Sequence, residues 1–146
     1  MFGAQAADPP LREFRELVKR AGLEAFRKAW RDHPLTRICS HDAEARALVV
    51  RMIDRYRGLD LQVRPARAAA GAHSPDLKGL HAPALLINGA LDSAERLAAA
   101  EELAQRLPQV ASMRIAGAAH LPSLDRPHVY NMALRTFLKR HAGNQS

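Results

Sequence analysis

Two polar residues stand where an acid–base pair could form. Asp92 follows a short apolar run at residues 84–89, and His120 follows a second stretch at residues 112–116. In open α/β sheets, catalytic groups gather beyond the carboxyl ends of the strands. Neighbouring parallel strands lie about 4.8 Å apart, so loops leaving both at the same end can bring the carboxylate to the imidazole. The carboxylate would fix the imidazole tautomer, and the other ring nitrogen could take a proton from a hydroxyl group.

The second half of the chain predicts the elements that position this pair. Residues 84–89 form a continuous apolar run, which is typical of a strand buried on both faces. Ser93 can open a helix, residues 112–116 predict a second strand, and residues 129–140 predict a closing helix with Met132 facing inward. This order predicts a right-handed βαβ crossover and a parallel sheet. Two parallel strands have little stability alone, so we expect the end of a larger α/β sheet.

The first 58 residues predict a run of amphipathic helices without a strand signal. Gly22 is expected to end the first helix, and Ser40 can cap the third. The stretch that follows is rich in proline and glycine and is predicted to be mostly loop. We therefore divide the chain into a helical segment at 1–60, a linker at 61–82 and a βαβα portion at 83–146.

Several short motifs occur in a fixed order in the second half. Gly-x-x-Asp (Gly89 to Asp92) follows the first strand, Ala-Gly-x-x-His-Leu-Pro contains His120, and an acidic residue precedes proline in Asp125-Arg126-Pro127. Over residues 80–140 this pattern resembles the C-terminal portion of the α/β-hydrolase fold family, and residues 11–60 are similar to its helical cap. The resemblance implies an incomplete α/β-hydrolase fold, in which a helical cap segment precedes a βαβα unit ending a parallel sheet. It also implies that Asp92 is the triad acid and His120 the triad base.

Two features depart from the family pattern. Ala119 precedes the histidine where the family often has glycine, which is tolerable if the backbone there is not left-handed. The family carries its nucleophile in Gly-x-Ser-x-Gly, at a turn that also helps to form the oxyanion hole. No serine of this sequence has those flanking glycines. Because each oxyanion-hole donor stabilises the transition state by about 3 to 4 kcal/mol, we expect negligible hydrolysis by the isolated chain.

Composition excludes several other classes of function. The net charge is +7, but basic residues lie beside acidic ones, which favours a salt-bridged surface over a nucleic-acid partner. The single cysteine, Cys39, excludes a disulfide framework and a cysteine zinc cluster. The histidines other than His120 lack metal-ligand spacing and are interpreted as surface or packing residues, so we predict no metal and no cofactor. With no signal-peptide pattern and no apolar run near ~20 residues, we expect a cytoplasmic protein without a membrane partner.

Two hypotheses for the function follow. The first is a hydrolase of the Ser-His-Asp type that cleaves an ester or related carbonyl bond in a small apolar substrate, with the nucleophile serine absent from this chain. Its partner would be a complementing N-terminal hydrolase chain. The candidate pocket residues are Phe26, Trp30 and Leu121. Phe26 and Trp30 could instead belong to the core of the cap. The alternative is a non-catalytic truncated hydrolase that acts as an interaction module, for example as a homodimer.

Overall fold

The structure, a computed structural model, describes residues 11–62, 77 and 79–142, so most of the predicted linker lies outside the described residues. We call residues 11–62 the helical region and residues 79–142 the βα region. The elements in chain order are α1 (Leu11–Arg31), a 3₁₀ turn (Pro34–Thr36), α2 (Ala43–Arg55), α3 (Leu59–Gln62), β1 (Ala84–Gly89), α4 (Ala94–Arg106), β2 (Val110–Ile115), α5 (Pro122–Asp125) and α6 (Pro127–Ala142).

Helix α1 is divided at Gly22. This residue has φ 79° and ψ 175°, which lie outside the helical range and interrupt the helix between two helical stretches. Glycine adopts a positive φ without the clash that a Cβ atom would cause. The predicted end of the first helix at Gly22 is confirmed, and the second helix continues directly from the kink. At the far end of α1 the Thr36 hydroxyl donates to the Trp30 carbonyl at 2.6 Å and so partners one of the last helical carbonyls.

Helix α2 begins two residues later than the sequence suggests. The capping residue is Asp42, whose carboxylate accepts a hydrogen bond from the Glu44 N–H at 2.8 Å. The prediction that Ser40 caps this helix is wrong. The Ser40 hydroxyl instead accepts from the Asp42 N–H at 3.1 Å and stabilises the turn that leads into the cap. Serine and aspartate are both common at helix N-caps and in the turns before them. Here the backbone that precedes the helix places Asp42 at the cap and Ser40 in the turn.

A buried aromatic cluster holds the helical region together. Phe14 and Phe26 meet edge to face with ring centroids 5.1 Å apart, and Leu61 of α3 completes the cluster at 2 % exposure. Arg27 extends from α1 and donates to the Tyr56 carbonyl at 2.8 Å, which ties the end of α2 to α1. Burial, together with a hydrogen bond to Asp60, raises the pKa of Tyr56 to about 12. The two parts of α1 are thus packed against both later helices of the region.

The two strands of the βα region pair in parallel. Their register runs from Ala84 opposite Val110 to Gly89 opposite Ile115. Parallel pairing and the strand at 84–89 are therefore confirmed, while β2 begins two residues before the predicted start at residue 112. The Ser93 hydroxyl accepts from the Arg96 N–H at 3.3 Å and caps α4 as predicted.

The βα region leaves the outer edge of its sheet open in the described residues. Neither α4 nor α6 contains a buried residue, and the prediction that Met132 faces inward is wrong because it is 53 % exposed. An open groove of about 550 Å³ runs between β1, α4 and α6, and its lining includes Leu86, Ile87, Leu103, Leu134 and Phe137. Within the described residues the outer edge of β1 pairs with no other strand. Apolar side chains in an open groove and an unpaired strand edge are typical of a surface that normally lies against another part of a sheet.

Candidate acid–base site

The structure brings Asp92 and His120 into contact. The carboxylate Oδ2 of Asp92 lies 2.9 Å from Nδ1 of His120. The Asp92 side chain is only 5 % exposed, whereas that of His120 is 31 % exposed. A buried carboxylate therefore holds one nitrogen of an imidazole that remains partly open to solvent.

The backbone after β1 fixes the direction of the Asp92 carboxylate. The Asp92 N–H donates to the Gly89 carbonyl at 3.2 Å, which closes a tight turn at the end of the strand. The second carboxylate oxygen, Oδ1, accepts from the Ser93 N–H at 2.8 Å. Because α4 begins immediately afterwards, the positive end of its dipole also favours the negative charge here. With both oxygens engaged, the carboxylate presents Oδ2 to His120 in one orientation.

Two backbone hydrogen bonds join the Asp92 loop to the His120 loop. The Ala90 N–H donates to the Ile115 carbonyl, and the Leu91 N–H donates to the Ala118 carbonyl, both at 2.9 Å. These bonds extend the strand pairing past the end of the sheet. The acid and the base are consequently held by main chain as well as by their own contact.

Ala119 occupies the position before His120 without strain. No non-glycine residue in the described ranges has a positive φ, so the Ala119 backbone is not left-handed. The chain turns two residues earlier, at Gly117, where φ is 68°. The condition under which alanine is tolerable at this position is therefore met.

Asp125 is a buried carboxylate that sequence reasoning noted only as part of a motif. Its exposure is 2 %, and its Oδ2 accepts from the Ala119 N–H at 2.7 Å. Its Oδ1 accepts from the Ser40 N–H at 2.9 Å and from the Cys39 N–H. One side chain thus connects the backbone beside His120 to the segment that precedes α2. The signal in the sequence was the acidic residue before Arg126-Pro127, but nothing there indicated its partners.

A second histidine lies within electrostatic reach of the pair. His33 stacks on Trp30 with ring centroids 4.6 Å apart, and its Nδ1 accepts from the Leu35 N–H at 3.2 Å. Burial lowers the pKa of His33, and the charge of His120 lowers it further. Interpreting His33 as a packing residue captured its aromatic contacts and missed its proximity to His120.

The three candidate pocket residues lie in different environments. Phe26 is 4 % exposed within the aromatic cluster, where its ring contacts Phe14, Trp30 and Tyr56. Trp30 is half-buried and stacks on the His33 ring, and Leu121 follows His120 directly and is half-buried. Phe26 and Trp30 therefore both belong to the aromatic cluster of the helical region, and of the three only Leu121 adjoins the pair, as the residue after His120.

The part of the chain that the structure describes holds neither a candidate metal site nor a membrane-spanning helix. No group of three or more His, Cys, Asp or Glu residues there is placed to hold a metal ion. No helix among the same residues has both the length and the apolar character needed to cross a membrane.

Comparison with known proteins identifies the fold. No protein-family model and no curated protein matches the sequence. A 2-hydroxy-6-oxo-6-phenylhexa-2,4-dienoate hydrolase (BphD) from Rhodococcus sp. strain RHA1 matches 94 % of this chain, with a TM-score of 0.51 and 16 % identity. A thermophilic esterase from Thermogutta terrifontis matches 91 % of it, with a TM-score of 0.53 and 21 % identity. Both are α/β-hydrolase fold enzymes. This chain has part of the α/β-hydrolase fold.

The match takes in helices and strands alike, since more than nine-tenths of the chain is covered in both cases. The chain nevertheless spans only about half the length of the two α/β-hydrolases, 52 % of each. At these levels of identity the likeness concerns the α/β-hydrolase fold and not the reaction.

Proposed function

We propose that this chain supplies the acid–base pair and the cap of a hydrolase that cleaves an ester or related carbonyl bond in a small apolar substrate. The observation that carries the proposal is the 2.9 Å contact between Asp92 and His120, made by loops at the carboxyl ends of adjacent parallel strands. His120 acts as general base and then general acid, and Asp92 orients it. The nucleophile serine comes from a complementing N-terminal hydrolase portion.

The geometry of the pair suits this chemistry. With Nδ1–H donated to the Asp92 carboxylate, Nε2 of His120 keeps its lone pair and can take the proton from a hydroxyl group as that oxygen attacks the carbonyl carbon. Asp92 stabilises the imidazolium that forms, and Nε2–H returns the proton to the departing alkoxide. The exposed fraction of His120 leaves the ring accessible to a hydroxyl group from outside the chain.

The open edge of the βα region supports a complementing portion as the missing partner. The groove and the free edge of β1 are mostly apolar, and the two similar hydrolases are about twice as long as the match. A strand of the complementing portion would pair with β1 and bury the groove. In this arrangement Trp30 and Leu121 line the substrate site, and the helical region covers it as a cap.

A first experiment tests where the nucleophile resides. The purified chain is incubated with a short-chain p-nitrophenyl ester and with a serine-directed phosphonate whose adduct is detected by mass spectrometry. We expect no labelled serine and no ester hydrolysis above that of the His120→Ala variant. A single labelled serine with a His120-dependent rate would show that the chain assembles its own nucleophile, and the proposal would then be wrong on that point.

A second experiment tests the role of the pair. The chain is fused to the portion of the Thermogutta terrifontis esterase that the match leaves uncovered, and phosphonate labelling of the folded fusion establishes that its serine is in place. We expect His120→Ala to abolish ester hydrolysis and His128→Ala, at an exposed histidine on α6, to leave the rate unchanged. Equal rates for the two variants would exclude His120 as the base, and a folded fusion that takes no label would exclude complementation.

Exposed apolar residues on α6 favour one alternative function. Met132 and Leu138 are 53 % and 55 % exposed on α6, as they would be in a module that associates through this helix without catalysis. A second copy of the chain is the occupant in that case. Sedimentation equilibrium decides between the two: a stable dimer at low micromolar concentration that remains unlabelled and inactive would support the interaction module.

A further inference from the structure

We propose that Asp125 is a positioning residue that sets the orientation of His120 and couples it to the attachment of the helical region. A catalytic role for this positioning rests on the proposed function. The positioning itself depends only on hydrogen bonds within this chain. The juxtaposition that carries it is one buried carboxylate shared between backbone N–H groups of two distant segments, residues 39–40 and residue 119.

The Asp125 carboxylate uses its two oxygens for different segments. Oδ2 accepts from the Ala119 N–H at 2.7 Å, one residue before His120, while Oδ1 accepts from the Ser40 N–H at 2.9 Å and from the Cys39 N–H. All three donors are main-chain groups, so the bonds fix backbone position and not a flexible side chain. Hydrogen bonds to an ionised carboxylate are shorter and stronger than neutral ones.

The position of Asp125 makes it a rigid anchor. It ends the single turn of α5, where its own N–H donates to the Leu121 carbonyl at 3.0 Å. With 2 % exposure, it has no room to change rotamer without displacing its surroundings. The hydrogen bond from the Ala119 N–H to the Asp125 side chain therefore closes residues 119–125 into a loop. His120 lies next to the point of closure.

The closed loop has a consequence for the acid–base pair. Asp92 fixes one end of the His120 ring through Nδ1, whereas the Asp125–Ala119 bond fixes the backbone from which the ring projects. If the Ala119 bond is lost, the base of the side chain can move and the Nδ1 contact weakens. The other oxygen of Asp125 accepts from the N–H groups of residues 39–40. If the helical region moved away from Asp125, those bonds would break and the carboxylate that holds Ala119 would be released on one side. The orientation of His120 is thus linked to the seating of the segment before α2.

The Asp125→Asn variant tests the positioning role. Asparagine keeps the shape but has a single acceptor oxygen, so it must give up either the Ala119 bond or the bonds to residues 39–40. The readout is the hydrogen-bonded Nδ1 proton of His120 in ¹⁵N-labelled protein, with Trp30 fluorescence and circular dichroism as measures of folding. We expect loss or exchange broadening of that proton in a protein that remains folded. The matched control is Asp42→Asn, an exposed carboxylate that accepts one backbone hydrogen bond, and it should leave the signal unchanged.

The outcomes separate this inference from the proposed function. If the wild-type chain lacks the Nδ1 proton signal, the Asp92–His120 contact itself is at fault and the proposed function fails. If the wild type has the signal and folded Asp125→Asn keeps it at full intensity, Asp125 does not position His120 and this inference is overturned. A signal lost equally in Asp42→Asn also contradicts it, because the effect would then be a general loosening.

Hydrogen exchange of the wild-type chain tests the coupling without any substitution. The amides of Cys39, Ser40 and Ala119 share one acceptor group, so we expect them to exchange through a common opening, with the same dependence on denaturant. Protection of Ala119 alongside free exchange at Cys39 and Ser40 would refute the coupling. This measurement decides the question even if the Asp125 variants do not fold.

Discussion

The backbone of Ala119 passes directly over Gly89 at the end of β1. A Cβ atom on Gly89 would lie 2.0 Å from the Ala119 carbonyl oxygen and 2.3 Å from that of Ala118. These distances are far below van der Waals contact, and the obstructing atoms are main chain. The His120 loop can therefore rest on the strand end that leads to Asp92 only because residue 89 has no side chain.

The Gly89→Ala variant should be destabilised and should separate the two loops. Overpacking against atoms that cannot rotate away typically costs up to about 3 kcal/mol, and occasionally more. Urea denaturation measures the free energy of unfolding. The control is Gly79→Ala, where nothing lies within 4 Å of the added Cβ. Equal stability of the two variants would contradict the close approach.

The Asp92→Asn variant should abolish the acid–base function while leaving the fold intact. An amide –NH₂ facing Nδ1 favours the tautomer that carries its proton on Nε2, which then cannot accept a proton. In the fused hydrolase we expect kcat to fall on the order of 10⁴-fold. ¹⁵N chemical shifts of the His120 ring report the tautomer in the chain alone. Asp54→Asn, which removes a surface ion pair with Arg31, should change neither property.

His33 should remain neutral at pH values where a free imidazole is already charged. Its pKa lies below the ordinary value of 6.5 because of burial and then because of the charge of His120. A lowered pKa means that the neutral form is favoured by folding. The stability that His33 contributes is complete above the pKa of the unfolded chain and is lost as pH falls through the folded pKa.

An NMR titration of the histidine ring protons measures this shift directly. Because Trp30 stacks on His33 and is the single tryptophan, its fluorescence should follow the same transition. His120→Gln should raise the pKa of His33 only part of the way to 6.5, since the burial remains. No change in this variant would show that the two rings do not interact.

Leu61→Ala should destabilise the helical region by about 2 to 5 kcal/mol, as is usual when a buried leucine is truncated. Leu61 is 2 % exposed and packs with Phe14 and Phe26, although it lies one residue beyond the predicted helical segment. Leu59→Ala on the same short helix, at a residue 55 % exposed, provides the comparison and should have little effect. Thermal denaturation followed by circular dichroism distinguishes them.

Local patterns were sufficient for much of this structure. The apolar run at 84–89, the helix break at Gly22 and the cap at Ser93 are decided by residues within a few positions, and the structure agrees with each prediction. The meeting of Asp92 with His120 could also be foreseen, because parallel strands place their carboxyl ends at one edge.

The remaining features depend on contacts that no local pattern contains. Asp125 accepts hydrogen bonds from Ser40 and Cys39, which lie 85 and 86 positions earlier in the chain. The motif around Asp125 gives no sign of these partners. The choice of Asp42 over Ser40 as a helix cap depends on where the preceding backbone is anchored. Met132 fits the inward stripe predicted for α6 by spacing, but the side of α6 that lines the groove carries Tyr130, Leu134, Phe137 and Leu138 instead.

The packing of this chain is uneven, and that unevenness affects how its stability must be measured. The aromatic cluster lies in the helical region, whereas α4 and α6, which flank the strands leading to Asp92 and His120, contain no buried side chain. A partner that bound the groove beside β1 in the folded form would raise the melting temperature by mass action, increasingly so as its free concentration exceeds its dissociation constant. The measured stability of the βα region would then depend on the concentration of that partner. A melting temperature that rises with the concentration of the chain alone would report self-association, and one that rises only when a second polypeptide is added would report complementation.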